Sequence, residues 1–219
     1  MVKKMFLVFF AVLLGVFGAV LWSVGDRAGT SAQGERLERM RASKVWNSKK
    51  KRFGNELKRV DGSFWEMGLK FFFGGSKHRL PTEPIVSEGI DESKFGTQPA
   101  SGLRITWFGH SSLLVELDSK RILIDPVWSE RASPFTWAGP KRFYEPPIGL
   151  DQLPKIDAVI ISHDHYDHLD YDTVMQLKSK PIEWFVPLGV GAHLEYWGVP
   201  PKQITEFEIK YPDQNNVPR

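Results

Sequence analysis

The sequence predicts an α/β domain that follows an N-terminal membrane helix and a basic arm. The first observation is an uncharged, mostly apolar run of 20 residues, Met5–Val24. The second is that the chain from Leu103 onward begins with three short runs rich in β-forming residues. The third is that strand-like and helix-like patterns alternate after these runs, as in a layered α/β sheet. These changes divide the chain into an anchor (1–25), an arm with a linker (26–102) and the α/β domain (103–219).

The composition limits the kinds of protein and of site that the chain can form. Of its 219 residues, 42% are hydrophobic and 25% are charged, which is ordinary for a chain that folds around a core and excludes a disordered or fibrous protein. The sequence contains no cysteine, which excludes a disulfide framework, a thiolate zinc site and a cysteine nucleophile. Any bound metal is therefore expected to be held by histidine and carboxylate side chains.

The N-terminal apolar run predicts a single-pass membrane anchor. A helix over Met5–Val24 would be about 30 Å long, close to the thickness of the hydrocarbon core of a bilayer. Lys3 and Lys4 precede the run, and Trp22 stands where an interfacial aromatic residue is expected. The alternative is a signal peptide cleaved within Ala28–Ala32. Basic residues on both sides of the run leave the orientation open.

The arm after the apolar run is strongly basic. Residues 27–80 carry 14 Lys and Arg against 5 Asp and Glu, a net charge of +9. Next to an anchor, such an arm is expected to attract anionic lipid head groups, at about 1 kcal/mol per cation, rather than nucleic acid. Within it we expect a helix over Glu35–Trp46. The aromatic patch Phe64–Phe73 is expected to pack the arm onto the α/β domain or, alternatively, to contact membrane or substrate, and Gly89–Gly102 reads as a linker.

The elements of the α/β domain follow from local patterns. A turn is predicted at Asp118–Lys120, and a helix over Tyr171–Leu177 with Asp170 as its N-cap. A second helix is predicted over Val190–Trp197. The proline- and aromatic-rich stretch Pro126–Pro154 is expected to be a binding loop or lid, the alternative being a surface excursion without a ligand. The predicted strands are Arg104–Phe108, Ser112–Leu117, Arg121–Ile124, Asp157–Ile161, Ile182–Val186 and Ile204–Ile209.

One short segment carries the residues that point to metal chemistry. Ser162–Asp170 (SHDHYDHLD) holds half of the six histidines of the chain. Residues two apart in an extended segment point to the same side, so His163 and His165 can bind one cation, while Asp167 and His168 can bind a second. Imidazole and carboxylate ligands suit Zn²⁺, with manganese or iron as alternatives. The segment follows a predicted strand, where ligands of α/β sheets bind, and this favours a site over a solvated acidic loop.

Three segments together resemble a known family. Ile105–Leu117 (ITWFGHSSLLVEL), Ile122–Pro126 (ILIDP) and Ile160–Asp170 (IISHDHYDHLD) are similar to the metallo-β-lactamase superfamily. Within it, they resemble the branch of N-acyl-phosphatidylethanolamine-hydrolysing phospholipase D and, more distantly, the ascorbate-6-phosphate lactonases. The resemblance implies a four-layer αββα sandwich with two zinc ions. It also implies a metal-dependent hydrolase acting on a phosphodiester of a lipid-like or phosphorylated substrate, or alternatively on a lactone.

The same resemblance implies roles for the residues of the metal segment. It makes His163 and His165 ligands of the first metal, and Asp167 and His168 ligands of the second. Asp167 would also be the catalytic residue that orients the nucleophile.

Three further residues are assigned around these ligands. Asp125 would support the metal loop through a hydrogen bond. His110 would line the site or, equally, be a turn histidine satisfied by the backbone. His193, inside a predicted helix, is expected to be a surface or packing residue.

The sequence also departs from the family. It has no histidine after His193, so further ligands from the second half of the sandwich are not found. We therefore expect the metal-loop half of a sandwich, preceded by a transmembrane helix in a bacterial inner membrane. Two ligands per metal are fewer than the three of catalytic zinc sites, so weak metal binding is expected, and an exposed sheet face would associate with another chain. The alternative is a catalytically incomplete membrane protein that retains a partial metal site.

Overall fold

The computed structural model of the protein describes residues 2–54, 62–73, 80–97 and 99–208. The end of the last predicted strand, Ile209, and the tail 210–219 lie outside the described residues. The helices are α1 (Val2–Val24), α2 (Gly34–Ala42), α3 (Phe64–Phe73), α4 (Tyr171–Leu177) and α5 (Gly191–Tyr196). The strands are β1 (Trp46–Asn47), β2 (Arg52–Phe53), β3 (Leu103–Gly109), β4 (Ser112–Leu117), β5 (Lys120–Ile124), β6 (Ala158–Ile160), β7 (Glu183–Pro187) and β8 (Ile204–Phe207).

The predicted membrane anchor is not supported. Helix α1 covers the apolar run, but no helix in the described part of the chain has both the length and the apolar character needed to cross a membrane. Binding of lipids by the arm, a location at the bacterial inner membrane and the division into 1–25, 26–102 and 103–219 stay predictions.

The main sheet is mixed and has its strands in chain order, from β3 to β8. Strands β3, β4 and β5 pair antiparallel, whereas β5, β6, β7 and β8 pair parallel. Helices α4 and α5 lie in the connections that precede β7 and β8. The predicted α/β fold is therefore confirmed, with hairpins first and strand–helix alternation after them.

The turn between β4 and β5 has the conformation that its residues favour. Leu117 pairs with Lys120, so the turn consists of Asp118 and Ser119 alone. Both have positive φ, +47° and +64°, as in the two-residue turns whose twist matches that of antiparallel strands. The predicted turn is confirmed, and it fixes the register that brings the carboxyl end of β5 to the candidate site.

The two faces of the sheet differ in burial. One face forms the core, whose largest members are Leu114, Leu123, Val159, Trp184 and Val186. On the other face Ile105 and Trp107 are 58% and 65% exposed. This apolar face is open within the residues that the structure describes, as expected from the sequence, and its association with another chain stays a prediction.

The segment predicted as a linker contributes to the core. Phe95, in the 3₁₀ turn Glu92–Phe95, is buried in the same hydrophobic cluster as the sheet. Gly89–Gly102 therefore does not serve as a linker alone, because burying an aromatic side chain stabilises the docked segment.

Helix α2 is shorter than predicted. It ends at Ala42, and Trp46 lies instead in β1, paired with Phe53 of β2. The two rings meet edge to face at 5.3 Å. Cross-strand aromatic pairs of this kind stabilise hairpins, which explains why the helix does not continue to Trp46.

The aromatic patch Phe64–Phe73 forms helix α3, but its expected packing is not confirmed where side chains are described. Trp65 and Phe73 are among the most exposed large hydrophobic side chains. The prediction that they pack the arm onto the α/β domain is wrong for Trp65, which is 79% exposed.

The arm is attached to the α/β domain by ion pairs. Arg27 makes two hydrogen bonds to the carboxylate of Asp172, at 2.6 and 2.9 Å. Arg36 and Arg39 both bind Glu206, at 3.0 and 2.7 Å, and the side chain of Glu206 is only 4% exposed. These three arginines are therefore paired within the molecule.

Glu116 is a buried carboxylate in β4 that pairs with two arginines. Burial alone would raise the pKa of Glu116, but hydrogen bonds from Arg104 and Arg121 outweigh it and hold the pKa below its ordinary 4.5. We expect Glu116→Gln to lower the free energy of unfolding at pH 7 by about 1.5–3 kcal/mol, because both arginines lose their charged acceptor. Since the pKa is lower in the folded state, this stabilisation is present above pH 4.5 and is lost as the pH falls through the folded-state value.

Urea unfolding at pH 7 and at low pH measures the effect of Glu116→Gln. The difference from the unmodified chain should shrink at low pH, where Glu116 is protonated. Glu130→Gln is the control, because its pair with Lys141 is more than half exposed and should contribute little. Equal losses at both pH values would show that the charge of Glu116 is not the cause.

Candidate metal centre

The metal loop, Ser162–Asp170, begins just beyond the carboxyl end of β6 and leads into α4. Ile161 still donates to the carbonyl of Phe185 in β7, so the chain leaves the sheet at Ser162. The amides of His168 and Leu169 then donate to the carbonyl of His165, at 2.9 and 2.7 Å. This tight turn folds the loop back and gathers its side chains at the sheet edge where ligands of α/β folds bind.

The first set of candidate donors is His163, His165 and Asp167. Each offers one donor atom, and these atoms lie within 4.8 Å of one another. The rings of His163 and His165 are 4.6 Å apart at a steep angle, as expected for two side chains that face one point. The structure therefore brings the two predicted histidines close together and places Asp167 beside them as a third donor. Catalytic zinc sites also have three protein ligands.

The second set is His110, Asp167 and His168, again within 4.8 Å. His168 Nε2 lies 3.6 Å from Asp167 Oδ2, and His110 Nε2 lies 3.0 Å from the same oxygen. Asp167 thus stands between both sets. His110, for which lining the site and a purely local turn role were equally expected, turns its side chain to Asp167. Sequence reasoning missed it as a third donor, and the only available signal was its place in the Gly-His-Ser turn after β3.

Asp125 makes hydrogen bonds to the metal loop, and its role in supporting a metal site stays a prediction. It ends β5, is buried, and has a φ of +42°, an uncommon conformation that Asp tolerates better than most residues. Its carboxylate accepts hydrogen bonds from the amide and the hydroxyl of Ser162, both at 2.7 Å, and lies 2.8 Å from His168 Nδ1. With Nδ1–H of His168 donated to Asp125, Nε2 is left to face Asp167.

Ser162 extends the same support to His163. Its hydroxyl donates to Asp125, and the hydroxyl oxygen lies 2.9 Å from His163 Nδ1. The oxygen can therefore accept from His163 Nδ1–H, which leaves Nε2 of His163 available to a metal. Ser111, with Oγ 2.9 Å from His168 Nδ1, belongs to the same network. Neither serine was predicted, because serines beside histidines are too common to be informative in a sequence.

The electrostatics favour the metal-binding forms of these side chains. Burial lowers the pKa of His163, and neighbouring His168 and His165 lower it further, so the neutral imidazole is favoured. Burial would raise the pKa of Asp167, but the hydrogen bond with His110 is the main effect that brings it below its ordinary value. Neutral imidazoles and ionised carboxylates are the forms that bind metals.

Comparison with known proteins agrees with this geometry. Residues 120–216, which contain the metal loop and Asp125, match the family model described as a beta-lactamase superfamily domain. These residues resemble the beta-lactamase superfamily. They include strands β5 to β8 of the mixed α/β sheet described above.

Three curated relatives are similar to part of the chain. An uncharacterized protein of Mycobacterium tuberculosis is 56% identical over 110 residues, which is 50% of this chain and 30% of that protein. N-acyl-phosphatidylethanolamine-hydrolyzing phospholipase D 1 of Caenorhabditis elegans is 46% identical over 101 residues, 45% of this chain and 28% of that protein. A metal-dependent hydrolase of Caldivirga maquilingensis is 42% identical over 65 residues, 30% of this chain and 23% of that protein. The chain thus spans less than a third of each relative.

The long loop of the α/β domain, residues 126–154, lies beside the second donor set. It closes a cavity of about 460 Å³ whose lining includes Trp107, His110, Arg142, Phe143, Tyr144 and Asp167. A Cβ at Gly109 would lie 2.7 Å from the hydroxyl of Tyr144, and Gly109 has a φ of +112°, so only glycine allows this close approach. The structure brings the loop to the candidate site, and its role as a binding loop or lid stays a prediction.

Asp170 links that loop to the metal loop in a way the sequence did not indicate. It precedes α4, but its side chain makes no capping hydrogen bond to that helix. Its carboxylate accepts instead from the amides of Trp128 and Ser129, at 3.1 and 3.0 Å. Asp170 is the N-cap residue of α4 as predicted, but its carboxylate binds two amides of the long loop instead of an amide of the helix.

His193 belongs to neither donor set. Its Nδ1 accepts from the amide of Thr30 at 3.1 Å, and burial lowers its pKa. The structure thus gives it the packing position expected from the sequence, between α5 and the arm.

Proposed function

We propose that the α/β domain is a metal-dependent hydrolase that binds two zinc ions and acts on a phosphodiester of a lipid-like or phosphorylated substrate. The observation that carries the proposal is the pair of three-donor sets that share Asp167. The similarity to a phospholipase D of C. elegans supports the phosphodiester, and similarity to a metal-dependent hydrolase supports the use of a metal.

The residues present fit such metals. Each set combines two imidazole nitrogens with one carboxylate oxygen, a donor set that suits Zn²⁺, manganese or iron, and each has its histidine tautomer or orientation supported by a neighbouring side chain. When bound, two such ions polarise a phosphoryl or carbonyl group and lower the pKa of water.

The side chains of the chain itself would hold and orient the reacting groups. Asp167 lies between both sets and can orient a water by accepting its proton in a hydrogen bond. His110 Nε2–H can donate a hydrogen bond to the Asp167 carboxylate, from which it lies 3.0 Å away. Asp125 keeps Nδ1–H of His168 engaged and so fixes which nitrogen faces the site.

The experiment that tests the proposal uses the purified chain, stripped of metal and reloaded with zinc, manganese or iron(II). Metal content is measured by elemental analysis, and turnover with bis(p-nitrophenyl) phosphate and with a simple lactone. We expect zinc-dependent phosphodiester hydrolysis that Asp167→Asn abolishes. Lactone turnover alone would favour the lactonase alternative. Metal binding without any turnover would favour the catalytically incomplete protein.

We also propose that the chain works at a membrane surface, with anionic lipids as partners of the arm. Support comes from Lys49 and Lys50, which are exposed on the turn between β1 and β2 and make no ion pair within the described residues. The chain should float with vesicles containing phosphatidylglycerol but less with phosphatidylcholine alone. The double change Lys49→Gln with Lys50→Gln should weaken this flotation. Flotation that does not depend on lipid charge would contradict the proposal.

A further inference from the structure

The metal loop borders a second and larger cavity, on the side of the arm. It measures about 920 Å³, within the range of small-molecule binding sites. One wall is formed by Ser162, His163 and Asp164 of the metal loop and by residues 187–190 after β7. The opposite wall is formed by the arm, between Thr30 and Phe53. The arm, for which lipid binding was predicted, therefore also lines a cavity that includes the candidate metal ligand His163.

The arm wall is held in place by specific contacts. Glu206 accepts from Arg36 and Arg39 of α2, and it also accepts from the amides of Gly189 and Gly191, both at 3.0 Å. One nearly buried carboxylate thus binds the arm to the loop after β7. Such charge-assisted hydrogen bonds are the stronger ones in proteins.

The arm also approaches the opposite wall closely. Gly189 has a φ of +92°, and a Cβ there would lie 2.8 Å from Met40 Sδ of α2. The amide of Thr30 donates to His193 on the far side of the same cavity. Packing at this distance requires glycine at position 189, so the wall is a built part of the molecule.

The lining combines apolar and cationic side chains. The arm contributes five apolar residues to it: Ala32, Leu37, Met40, Trp46 and Phe53. It also contributes Arg41 and Lys51. The only partner of Arg41 in an ion pair is the exposed Glu38, and Lys51 makes none within the part of the chain that the structure describes. Lys51 can therefore bind a ligand directly, and Arg41 can do so by exchanging a weak, exposed ion pair, with the apolar surface of the hairpin beside them.

We propose that this cavity binds an anionic group that carries an apolar chain. Arg41 and Lys51 recognise the anion, the edge-to-face pair of Trp46 and Phe53 contacts the apolar part, and His163 is part of the same lining. Arg41 and Lys51 are thus specificity-determining residues supplied by the arm. That the ligand is a substrate rests on the proposed hydrolase function, whereas binding itself does not.

The test measures binding of octyl phosphate, inorganic phosphate and octanol to the full metal-free chain by calorimetry. The metal-free chain is used so that the phosphate group can bind only to the protein and not to a metal ion. We expect octyl phosphate to bind more tightly than either inorganic phosphate or octanol, because only it offers both parts. The double variant Arg41→Gln with Lys51→Gln should weaken octyl phosphate binding about tenfold or more, since two charged donors are lost.

The matched control is Lys44→Gln with Arg52→Gln, which removes one lysine and one arginine from the same segment at exposed positions that do not line the cavity. It should leave octyl phosphate binding unchanged, and circular dichroism should show that both double variants are folded. If both double variants lose octyl phosphate affinity equally, net charge and not the cavity explains binding. If Arg41→Gln with Lys51→Gln keeps its affinity, the ligand binds elsewhere. Either result overturns the proposal. The hydrolase proposal is tested separately. It fails if the zinc-loaded chain shows no turnover, and binding of octyl phosphate to the metal-free chain can persist in that case.

Discussion

Changing His163 and His165 together to alanine should abolish zinc binding at the first donor set. Two of its three donors are lost, and Asp167 alone cannot hold the ion. Loss of a residue that only supports a ligand typically weakens metal affinity 10–100-fold, so loss of two ligands should exceed about 100-fold. Elemental analysis after dialysis, and titration with a chromophoric zinc chelator, measure the effect.

The control for this variant is Asp164→Asn, in the same loop but in neither donor set. It should keep the zinc content of the unmodified chain. The second set, His110 with Asp167 and His168, should retain part of its zinc in the double alanine variant. Full zinc content in that variant would show that the metal loop does not bind metal through its first two histidines.

The second large effect is expected at a residue that is not a ligand. Asp125→Ala should weaken zinc affinity 10–100-fold, because Ser162 and His168 both lose the carboxylate that orients them. It should also lower the free energy of unfolding by about 1–3 kcal/mol, since buried donors are left without an acceptor. Zinc titration and urea unfolding separate the two effects.

Asp157→Asn is a suitable control for Asp125→Ala. Asp157 stands at the opposite end of β6, where its carboxylate accepts from the amide of Arg121 at 3.0 Å. It should lower stability without a change in zinc affinity. If Asp125→Ala loses stability but binds zinc as the unmodified chain does, Asp125 holds the fold and not the ligands.

Local patterns were sufficient to predict most of the sheet and the metal loop. The apolar run over Asp157–Ile161 predicts β6, and the turn at Asp118 and Ser119 predicts the hairpin before it. The spacing of His163 and His165 predicts that their side chains lie on the same side, because alternate residues of an extended loop point the same way. Information of this kind lies within a few residues and can be read without knowledge of the fold.

Contacts between residues far apart in the sequence could not be predicted in that way. Arg36 and Glu206 are 170 residues apart, and neither has a neighbour in the sequence that indicates its partner. His110 lies 57 residues from Asp167, and the pairing of β4 with β5 and of β5 with β6 is needed to bring the turn after β3 to the metal loop. Asp170 has the sequence signature of an N-cap, yet amides from a distant loop take its carboxylate.

The hydrogen bonds of Asp125 have a consequence for how quickly a metal can be accepted. They tie the loop to the end of β5 through Asp125 and Ser162, which belong to neither donor set and so do not depend on an ion for their own contacts. The entropy of ordering the loop is then lost when the chain folds and not when the ion arrives. Zinc should therefore associate in a single fast phase, at a rate set by diffusion and dehydration of the ion instead of by a slow rearrangement of the backbone.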